Sequence, residues 1–479
     1  MKYETVIGLE VHAQLATNTK IFCGCSTKFG ADPNTQTCPI CLGMPGVLPV
    51  LNETVVDYAI KLGLATGSEI VRSNIFARKN YFYPDLPKGY QVSQFDKPIC
   101  LNGYLEIPSN GGTRRIGIIR IHMEEDAGKS VHDETYVNDQ ETMIDLNRCG
   151  VPLLEIVSAP DIRSAKEAAY YLVKLRQLVR YLQICDGNME EGSMRCDANI
   201  SVRPEGSETL GTRTELKNMN SFRNVEKALE FEVDRQIKLI ESGGKVEQQT
   251  MLWDPDKNEA RPMRGKEESH DYRYFPEPDL VPIHISEKWL EEIKSSMPEL
   301  PDQKIKRFIN DYGLPEYDAG IICASREMAA YFEEVAEKVS NFKLISNWLL
   351  GEISRVLNEL KIEVDQLKVS PQKLIDLLLL IEKNVISGIA AKKVFTEALD
   401  SNDSIEQIVG KLGLKQISDS SALEDIVDKI ISSYPAEVES YKSGKDKVFG
   451  FLVGQVMRES RGKANPAVVN ELLRQKLGG

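Results

Sequence analysis

The sequence contains little that would direct it to a membrane or out of the cell. Aromatic residues make up 7% of the 479 residues. The longest aliphatic cluster, Leu374 to Ile381, is about eight residues long, whereas a membrane-spanning helix needs roughly twenty. The start, Met1-Lys2-Tyr3-Glu4, has neither the apolar core of a signal peptide nor an Arg- and Ser-rich transit composition. These absences predict a cytoplasmic protein with no membrane partner.

Several common catalytic motifs are also missing. Gly128 to Ser130 ends like a phosphate-binding P-loop, but Met123 stands where the first glycine is required. The acids Glu124 to Asp126 would repel the phosphates that such a loop cradles. The sequence has no GxSxG nucleophile elbow and no GxGxxG after a strand. If ATP binds, we expect it on a sheet, through metal ions and basic side chains.

Cysteine is too sparse for a disulfide scaffold, since the count is nine and odd. Four of the nine are clustered: twelve residues separate the pair Cys23 and Cys25 from the pair Cys38 and Cys41. Two short-spaced pairs across a loop are typical of a four-thiolate zinc site, which has no open position and is therefore structural. The alternative is a set of buried free thiols.

The charge is distributed unevenly along the chain. The net charge is −13, yet Lys442 to Lys476 holds eight Lys and Arg against three acids. This end is therefore basic and the remainder strongly acidic, so the tail is a candidate polyanion-binding surface. The alternative is a solvated helical face.

Hydrophobic periodicity predicts an α+β protein rather than a doubly wound sheet. Ile7 to Gln14 and Met194 to Arg203 alternate between apolar and polar residues, as in an antiparallel sheet with one polar face. Ser164, which forms a capping box with Glu167, and Ser221 are predicted N-caps of segments with helical spacing. After Pro282 nearly every segment has a helical period. We predict three domains, at residues 1–292, 293–405 and 406–479.

Acidic residues project from the polar strand faces of the first domain. Glu10 and His12 are two residues apart on one face and can share a divalent ion. Other acids can converge on them: Glu124, Glu125, Asp126, Glu155, Glu190, Glu191 and Asp197. Carboxylate-rich sites suit Mg²⁺, the ion of nucleotide phosphates. For any one of these acids alone, a solvated turn is the simpler interpretation.

Aromatic and basic residues interleave in two segments, Arg78 to Gln91 and His270 to Asp279. Rings beside cations can hold a nucleotide base or an unpaired RNA end. From composition alone, the two segments are equally compatible with a pair of aromatic clusters that anchor loops.

Together these segments resemble, over the whole chain, the B subunit of the aspartyl/glutamyl-tRNA amidotransferase. The matching motifs are Ile7 to Leu15, Cys38 to Gly46, Arg78 to Pro87, Arg148 to Glu155, Met194 to Ser201, Glu215 to Ser221 and Gly462 to Pro466. The resemblance implies a glutamine-synthetase-like antiparallel-sheet cradle domain carrying the zinc loop, an all-α helical domain and a small helical tail that binds tRNA.

The resemblance further implies a ligase that forms a C–N bond with glutamine as the amido donor. ATP would phosphorylate the side-chain carboxylate of Glu-tRNA(Gln) or Asp-tRNA(Asn), and ammonia would displace the phosphate. The A subunit, which is a glutaminase, would supply the ammonia, and the small C subunit would complete a heterotrimer. The implied cofactors are ATP, Mg²⁺ and structural Zn²⁺.

Residue roles follow from the same resemblance. Glu10, His12 and Glu125 are expected to hold magnesium, and Arg461 and Lys463 to contact tRNA. The further catalytic candidates are Glu155, Lys79, Arg195, Asp197 and Lys217. The candidates for cofactor binding are Glu124, Glu191, Asn199 and Tyr81.

Two other functions are compatible with parts of the pattern. One is a zinc-bearing tRNA-binding scaffold without catalysis, against which the acid-lined strand faces argue. The other is an amide ligase acting on a free amino acid, against which the basic tail argues.

Overall fold

The computed structural model describes residues 2–109, 111–131, 141–263, 272–415, 420–460 and 464–478. The chain forms two compact units, Met1–Pro301 and Asp302–Gly479. Strands and a few helices build the first unit, and helices build the second. The α+β composition predicted from periodicity is therefore observed. None of the described helices is both long and apolar enough to cross a membrane.

The first unit contains, among its described residues, one large sheet and three smaller ones. Its strands are β1 (Tyr3–Gln14), β2 (Glu69–Ile70), β3 (Ser73–Asn74), β4 (Ala77–Asn80), β5 (Tyr90–Ser93), β6 (Cys100–Ser109), β7 (Gly112–Glu125), β8 (Lys129–Val131), β9 (Met143–Asp145), β10 (Pro152–Ser158), β11 (Met194–Pro204), β12 (Thr214–Lys217), β13 (Thr250–Asp254), β14 (Glu259–Pro262), β15 (Phe275–Pro276) and β16 (Ile283–His284). Nine of them pair in the order β14-β13-β12-β11-β1-β10-β7-β6-β2. Neighbouring strands are antiparallel except β12 and β13, which are parallel. Strands β15, β4 and β5 form a separate small sheet.

One face of the large sheet is apolar because successive side chains alternate along each strand. Ile7, Leu9 and Val11 of β1 are almost fully buried in the core of this unit. The helices of the unit are α1 (Glu53–Ala65), α2 (Ala165–Tyr181), α3 (Phe222–Glu241) and α4 (Glu287–Ser295). The predicted caps are confirmed, since Ser164 accepts from the Glu167 amide and Ser221 from the Asn224 amide. The opposite face of β1 carries Glu10, His12 and Gln14.

The second unit is built from helices and contains two separate hydrophobic cores. The helices are α5 (Pro301–Tyr312), α6 (Glu316–Ile322), α7 (Arg326–Ala336), α8 (Phe342–Trp348), α9 (Ser354–Leu360), α10 (Pro371–Glu382), α11 (Gly388–Ala398), α12 (Ile405–Leu412), α13 (Ser420–Ser433), α14 (Pro435–Lys442), α15 (Lys447–Glu459) and α16 (Pro466–Leu477), with a π-helical turn at Leu349–Ile353. One core runs from Phe308 to Val409 and the other from Leu423 to Leu477.

Both boundaries expected from composition fall inside helices. The position 292/293 lies in α4, whose Leu290 and Ile293 pack in the core of the first unit. The position 405/406 lies at the start of α12, whose Ile408 and Val409 pack with the preceding helices. Proline and polar clusters mark the ends of elements, but burial decides to which core an element belongs.

Candidate active site

The polar face of the large sheet brings titratable side chains from three neighbouring strands together. His12 of β1 lies opposite Glu155 of β10, and Glu155 lies opposite His122 of β7. Glu10 and Glu124 are two residues from these histidines on the same strands and therefore share their face. We call Glu10, His12, His122, Glu124 and Glu155 the acid–histidine cluster.

Short distances join the members of the acid–histidine cluster. His12 Nε2 lies 3.4 Å from Glu155 Oε2 and 3.6 Å from Glu124 Oε1. Its distance to Glu10 Oε1 is 3.7 Å. His122 Nε2 lies 3.3 Å from Glu155 Oε2 and 3.6 Å from Glu124 Oε2. Glu155 therefore contacts both imidazoles. These contacts offset the free-energy cost of burying its carboxylate in an apolar strand.

Burial and neighbouring charges shift the titration of the cluster. Burial opposes the charged form of His122, but the carboxylates of Glu155 and Glu124 outweigh it and raise the pKa to about 9. Burial acts against ionisation of Glu155 as well, and the two imidazoles nevertheless hold its pKa well below the ordinary value. Burial and the Glu155 carboxylate raise the pKa of Glu10. The cluster is thus a set of strongly interacting charges.

The same side chains have the geometry of a divalent-ion site. Two groups, Glu10-His12-Glu155 and His122-Glu124-Glu155, each place one ligand atom per residue within 4.8 Å of one another. Glu155 belongs to both groups. The buried Nδ1 of His122 has no hydrogen-bond partner among the described residues. Three carboxylates supply the oxygen ligands that Mg²⁺ prefers, and two imidazoles complete the set.

The Lys79 ammonium interacts electrostatically with two carboxylates of the acid–histidine cluster. Burial lowers its pKa, but the carboxylates of Glu124 and Glu155 outweigh that effect and raise it. Its Nζ stands 4.9 Å from the ring centroid of Tyr272, and no ion pair joins it to a described carboxylate. This ammonium is available to an anionic ligand.

Arg195 and Lys217 already have protein partners. Arg195 Nη2 donates to Asp126 Oδ2 at 2.8 Å, and Gln14 Nε2 donates to the same oxygen at 2.8 Å. Lys217 Nζ donates to Asp197 Oδ2 at 2.6 Å. The sequence places these residues on polar strand faces correctly but does not indicate that they are paired.

Glu125 faces away from the acid–histidine cluster. Alternation along β7 places it opposite in direction to Glu124, and its Oε1 accepts from the Val92 amide at 2.8 Å and from Lys88 Nζ. Glu125 belongs to none of the groups of described residues that can hold a metal. The expected grouping of Glu125 with Glu10 and His12 is therefore not what the structure shows, and Glu124 takes that place.

The remaining candidates, Asn199, Tyr81 and Glu191, lie outside the acid–histidine cluster. Asn199 is on β11, two residues from Asp197 and on its face. The Tyr81 hydroxyl donates to Gln91 Oε1 at 3.2 Å, and burial with the nearby Glu124 carboxylate raises its pKa. Glu191 is exposed in the turn before β11, where its amide donates to Asn188 Oδ1. Glu191 does not join the cluster.

Aromatic side chains from the two interleaved segments meet beside Lys79. The ring centroids of Tyr81 and Tyr272 are 6.0 Å apart. Phe95, just beyond the first segment, stacks on Tyr274 with 4.1 Å between the ring centroids. The Glu155 and Glu124 carboxylates contribute to the raised pKa of Tyr274, although burial is the larger cause. The two segments thus converge at one edge of the site; residues 264–271, which include His270 and Asp271, lie outside the described residues.

The four clustered cysteines converge as predicted from their spacing. Their Sγ atoms all lie within 4.8 Å of one another, and those of Cys38 and Cys41 are 4.0 Å apart. A tetrahedral zinc ion with bonds of about 2.3 Å requires sulfur separations of about 3.8 Å. Hydrogen bonding from Cys23 outweighs burial and, with the nearby Lys20 ammonium, lowers the pKa of Cys41 to about 4. Four soft thiols at this spacing fit a structural zinc ion.

The tRNA-binding residues expected in the tail, Arg461 and Lys463, lie outside the described residues. Two cations of the described tail helices contact other side chains. Lys476 Nζ donates to Asp428 Oδ2 at 2.6 Å, and Arg474 stands 5.7 Å from the Phe449 ring centroid.

His122 is the functional candidate that sequence reasoning missed. Its spacing to Glu124 repeats the two-residue spacing of Glu10 and His12, and both pairs lie on strands. A search for acid and histidine two residues apart on a predicted strand would have found it. Ser93 also joins the site through a hydrogen bond from its hydroxyl to Glu124 Oε2 at 3.2 Å.

The chain is similar in sequence to a known protein family. Residues 5–291 match the family model described as the GatB/GatE catalytic domain, and residues 330–477 match the one described as the GatB domain. Proteins named as B subunits of the aspartyl/glutamyl-tRNA(Asn/Gln) amidotransferase are similar over their whole length and the whole of this chain: 59% identical from Geotalea uraniireducens, 60% from Geobacter sulfurreducens and 56% from Caldanaerobacter subterraneus. The chain belongs to the family of B subunits of the aspartyl/glutamyl-tRNA(Asn/Gln) amidotransferase.

Proposed function

We propose that this chain activates the side-chain carboxylate of Glu-tRNA(Gln) or Asp-tRNA(Asn) with ATP and then amidates it. The observation that carries the proposal is the acid–histidine cluster, which lies on one face of the sheet next to Lys79 and an aromatic edge. The names of the similar proteins supply the substrate class.

The chemistry requires two steps, because a carboxylate oxygen is a poor leaving group. In the first, the carboxylate attacks the γ-phosphorus of ATP; the bond to the β,γ-bridging oxygen breaks, and ADP leaves. In the second, ammonia attacks the carbonyl carbon of the acyl phosphate, inorganic phosphate leaves, and the nitrogen loses a proton. The product is Gln-tRNA(Gln) or Asn-tRNA(Asn).

The acid–histidine cluster is the proposed holder of Mg²⁺. Glu10, His12 and Glu155 would form one ligand set, and His122 and Glu124 with the shared Glu155 the other. Bound Mg²⁺ neutralises phosphate charge and aligns phosphates for in-line transfer. Glu124 replaces Glu125, the ligand expected from the sequence, because Glu125 points to the other face.

The protein's own cations and rings would orient the substrates. Lys79 can bind a phosphate oxygen without breaking an existing ion pair of the described residues. Arg195, held by Asp126, presents a rigid guanidinium at the rim of the site. The rings of Tyr81, Tyr272 and Tyr274 can stack on a base.

Ammonia and further contacts would come from partners. We propose a heterotrimer in which the A subunit is the glutaminase and the C subunit is a small third chain, since the sequence shows no nucleophile motif for glutamine hydrolysis. The cysteine cluster would hold structural zinc, and the basic tail would bind the tRNA backbone.

Reconstituted complexes test the proposal directly. Glu10→Gln and His12→Ala should abolish ATP hydrolysis that depends on Glu-tRNA(Gln), while tRNA binding persists. Glu106→Gln, at an exposed position of β6, is the matched control and should retain activity. Unchanged amidation in both cluster variants would contradict the assignment. A wild-type complex that binds tRNA without any tRNA-dependent ATP hydrolysis would favour the zinc-bearing scaffold instead.

A further inference from the structure

Lys20 is a fully buried lysine beside the cysteine cluster. Its relative exposure is 0%, and its Nζ donates to the Gln36 carbonyl at 2.7 Å and to Cys41 Sγ at 3.7 Å. None of the described carboxylates lies within ion-pair distance of this Nζ. The nearby Glu125 is paired with Lys88 instead.

A buried ammonium is costly unless an opposite charge compensates it. Within hydrogen-bond distance of Lys20 Nζ, the described side chain that can become an anion is Cys41. A carbonyl oxygen, such as that of Gln36, satisfies one N–H but supplies no full charge. The position of Lys20 therefore places a hydrogen-bond donor against Cys41 Sγ, the atom that would ligate a metal as a thiolate.

Lys20 also connects the two cysteine pairs through its backbone. Its amide donates to the Cys25 carbonyl at 3.0 Å, while its side chain reaches Cys41 and the loop before Cys38. Cys41 Sγ accepts a second hydrogen bond from the Cys38 amide at 3.1 Å. One residue thus touches both halves of the cluster.

We propose that Lys20 is the positioning residue of a four-thiolate zinc site, where it donates to the Cys41 thiolate and offsets part of the site's negative charge. Four thiolates around one Zn²⁺ leave two negative charges in excess, and the buried ammonium neutralises one of them. Groups that hydrogen-bond to metal ligands in this way commonly change metal affinity by about 10- to 100-fold. The inference rests on the proposed zinc site and not on the proposed amidation.

The test replaces Lys20 in the full chain and measures the metal itself. Lys20→Met keeps most of the aliphatic volume but removes the charge and the donor, whereas Lys20→Arg keeps both. Lys28→Met, at an exposed position near Cys25, is the matched control. Zinc affinity, measured by competition with a chromophoric chelator, should fall about 10- to 100-fold in Lys20→Met, hold in Lys28→Met and recover in part in Lys20→Arg.

Substitution of cobalt for zinc gives a spectroscopic measurement, the energy of a charge-transfer band, that a loss of packing alone would not change. A hydrogen bond stabilises the sulfur electrons, so the thiolate-to-Co²⁺ charge-transfer band should shift to lower energy in Lys20→Met. If that variant does not fold, Lys20→Gln, which keeps a donor but no charge, should show weaker zinc binding. Equal affinity and equal band energy in the lysine variants would overturn the role of Lys20. A wild-type chain that binds neither zinc nor cobalt would overturn the site, and the amidation proposal would be unaffected.

Discussion

At the scale of single residues, neighbouring side chains of β7 have different surroundings. Glu124 accepts from Ser93 and contacts both imidazoles of the acid–histidine cluster. Glu125 accepts from Lys88 and lines a cavity of about 190 Å³ that also touches Cys41. The two carboxylates are adjacent in sequence, so only the alternation of the strand separates their surroundings.

The first prediction concerns His122. His122→Ala should lower tRNA-dependent ATP hydrolysis by at least about 100-fold, because loss of a ligand to a phosphoryl-transfer ion removes several kcal/mol of transition-state stabilisation. Steady-state rates of the reconstituted complex measure it. His284→Ala, at an exposed position of β16, is the control and should be near wild type. Equal rates in the two variants would remove His122 from the site.

At the scale of elements, the start of α2 shows how local signals become tertiary contacts. The sequence predicts a capping box formed by Ser164 and Glu167, and Ser164 Oγ does accept from the Glu167 amide at 3.2 Å. The Glu167 carboxylate, however, accepts from the Arg163 amide at 2.8 Å and from Ser109 Oγ at 2.6 Å. The glutamate therefore ties α2 to β6 as well as to its own first turn.

The second prediction tests this cap. Ser164→Ala should lower the free energy of unfolding of the first unit by about 1 kcal/mol, since the Glu167 amide loses its acceptor. Urea denaturation followed by tryptophan fluorescence measures the change. Thr209→Ala, in an exposed loop, should stay within about 0.5 kcal/mol of wild type. A loss in Ser164→Ala no larger than in the control would show that α2 does not depend on this cap.

The third prediction concerns the cysteine loop. Removal of zinc by a chelator, or Cys38→Ser, should lower the melting temperature of the first unit, because metal binding contributes to folding free energy. Calorimetry should show the transition of the second unit unchanged. Added zinc should restore the chelated wild type but not Cys38→Ser. Freshly purified protein without bound metal would contradict the prediction.

At the scale of the whole molecule, the candidate active site and the basic residues lie in different parts of the chain. The acid–histidine cluster belongs to the first unit, and the excess of cations belongs to the last core of the second. That core begins at Leu423, whereas α12 packs with the helices before it. A truncated chain that lacks only this last core should therefore end at residue 415 rather than near residue 406.

The fourth prediction uses this boundary. A chain ending at residue 415 should bind tRNA more weakly and raise the apparent KM for Glu-tRNA, while glutaminase activity of the partner without tRNA is retained. The slope of log affinity against log salt should flatten by roughly one unit for each phosphate that the shortened chain no longer neutralises. Titrations at several salt concentrations measure both quantities.

A charge-reversal pair supplies the control for the truncation. Lys445→Glu with Lys447→Glu should reproduce part of the loss, because both lysines are exposed in the tail. Lys368→Glu with Lys383→Glu changes the same charge at exposed positions on either side of α10 and should have little effect. Equal effects of the two pairs would show that the tail is only a solvated face.

Alternation and caps are well predicted from the sequence, because these features depend on neighbours along the chain. β11 buries Met194, Cys196 and Ala198 and presents Arg195 and Asp197 as expected. The pairing of Arg195 with Asp126 is not predictable in this way, because such a contact depends on strand register. Nor does the pattern separate Glu124 from Glu125, since either assignment gives an acid at the end of β7.

The alternation of β7 has a consequence for how this gene can change in length. A one-residue deletion between β6 and the cluster that shifted β7 by one step would turn Glu124 toward Lys88 and Glu125 toward His12. The same shift would move His122 into the apolar core. An insertion of two residues at the same place would keep each β7 side chain on its face of the sheet. It would, however, shift every β7 residue away from its present partners on β6 and β10. Length variation should therefore be tolerated in the connection between β6 and β7 and rejected between Ile116 and Glu125. An insertion scan scored by growth of cells that depend on the amidotransferase would map that boundary residue by residue.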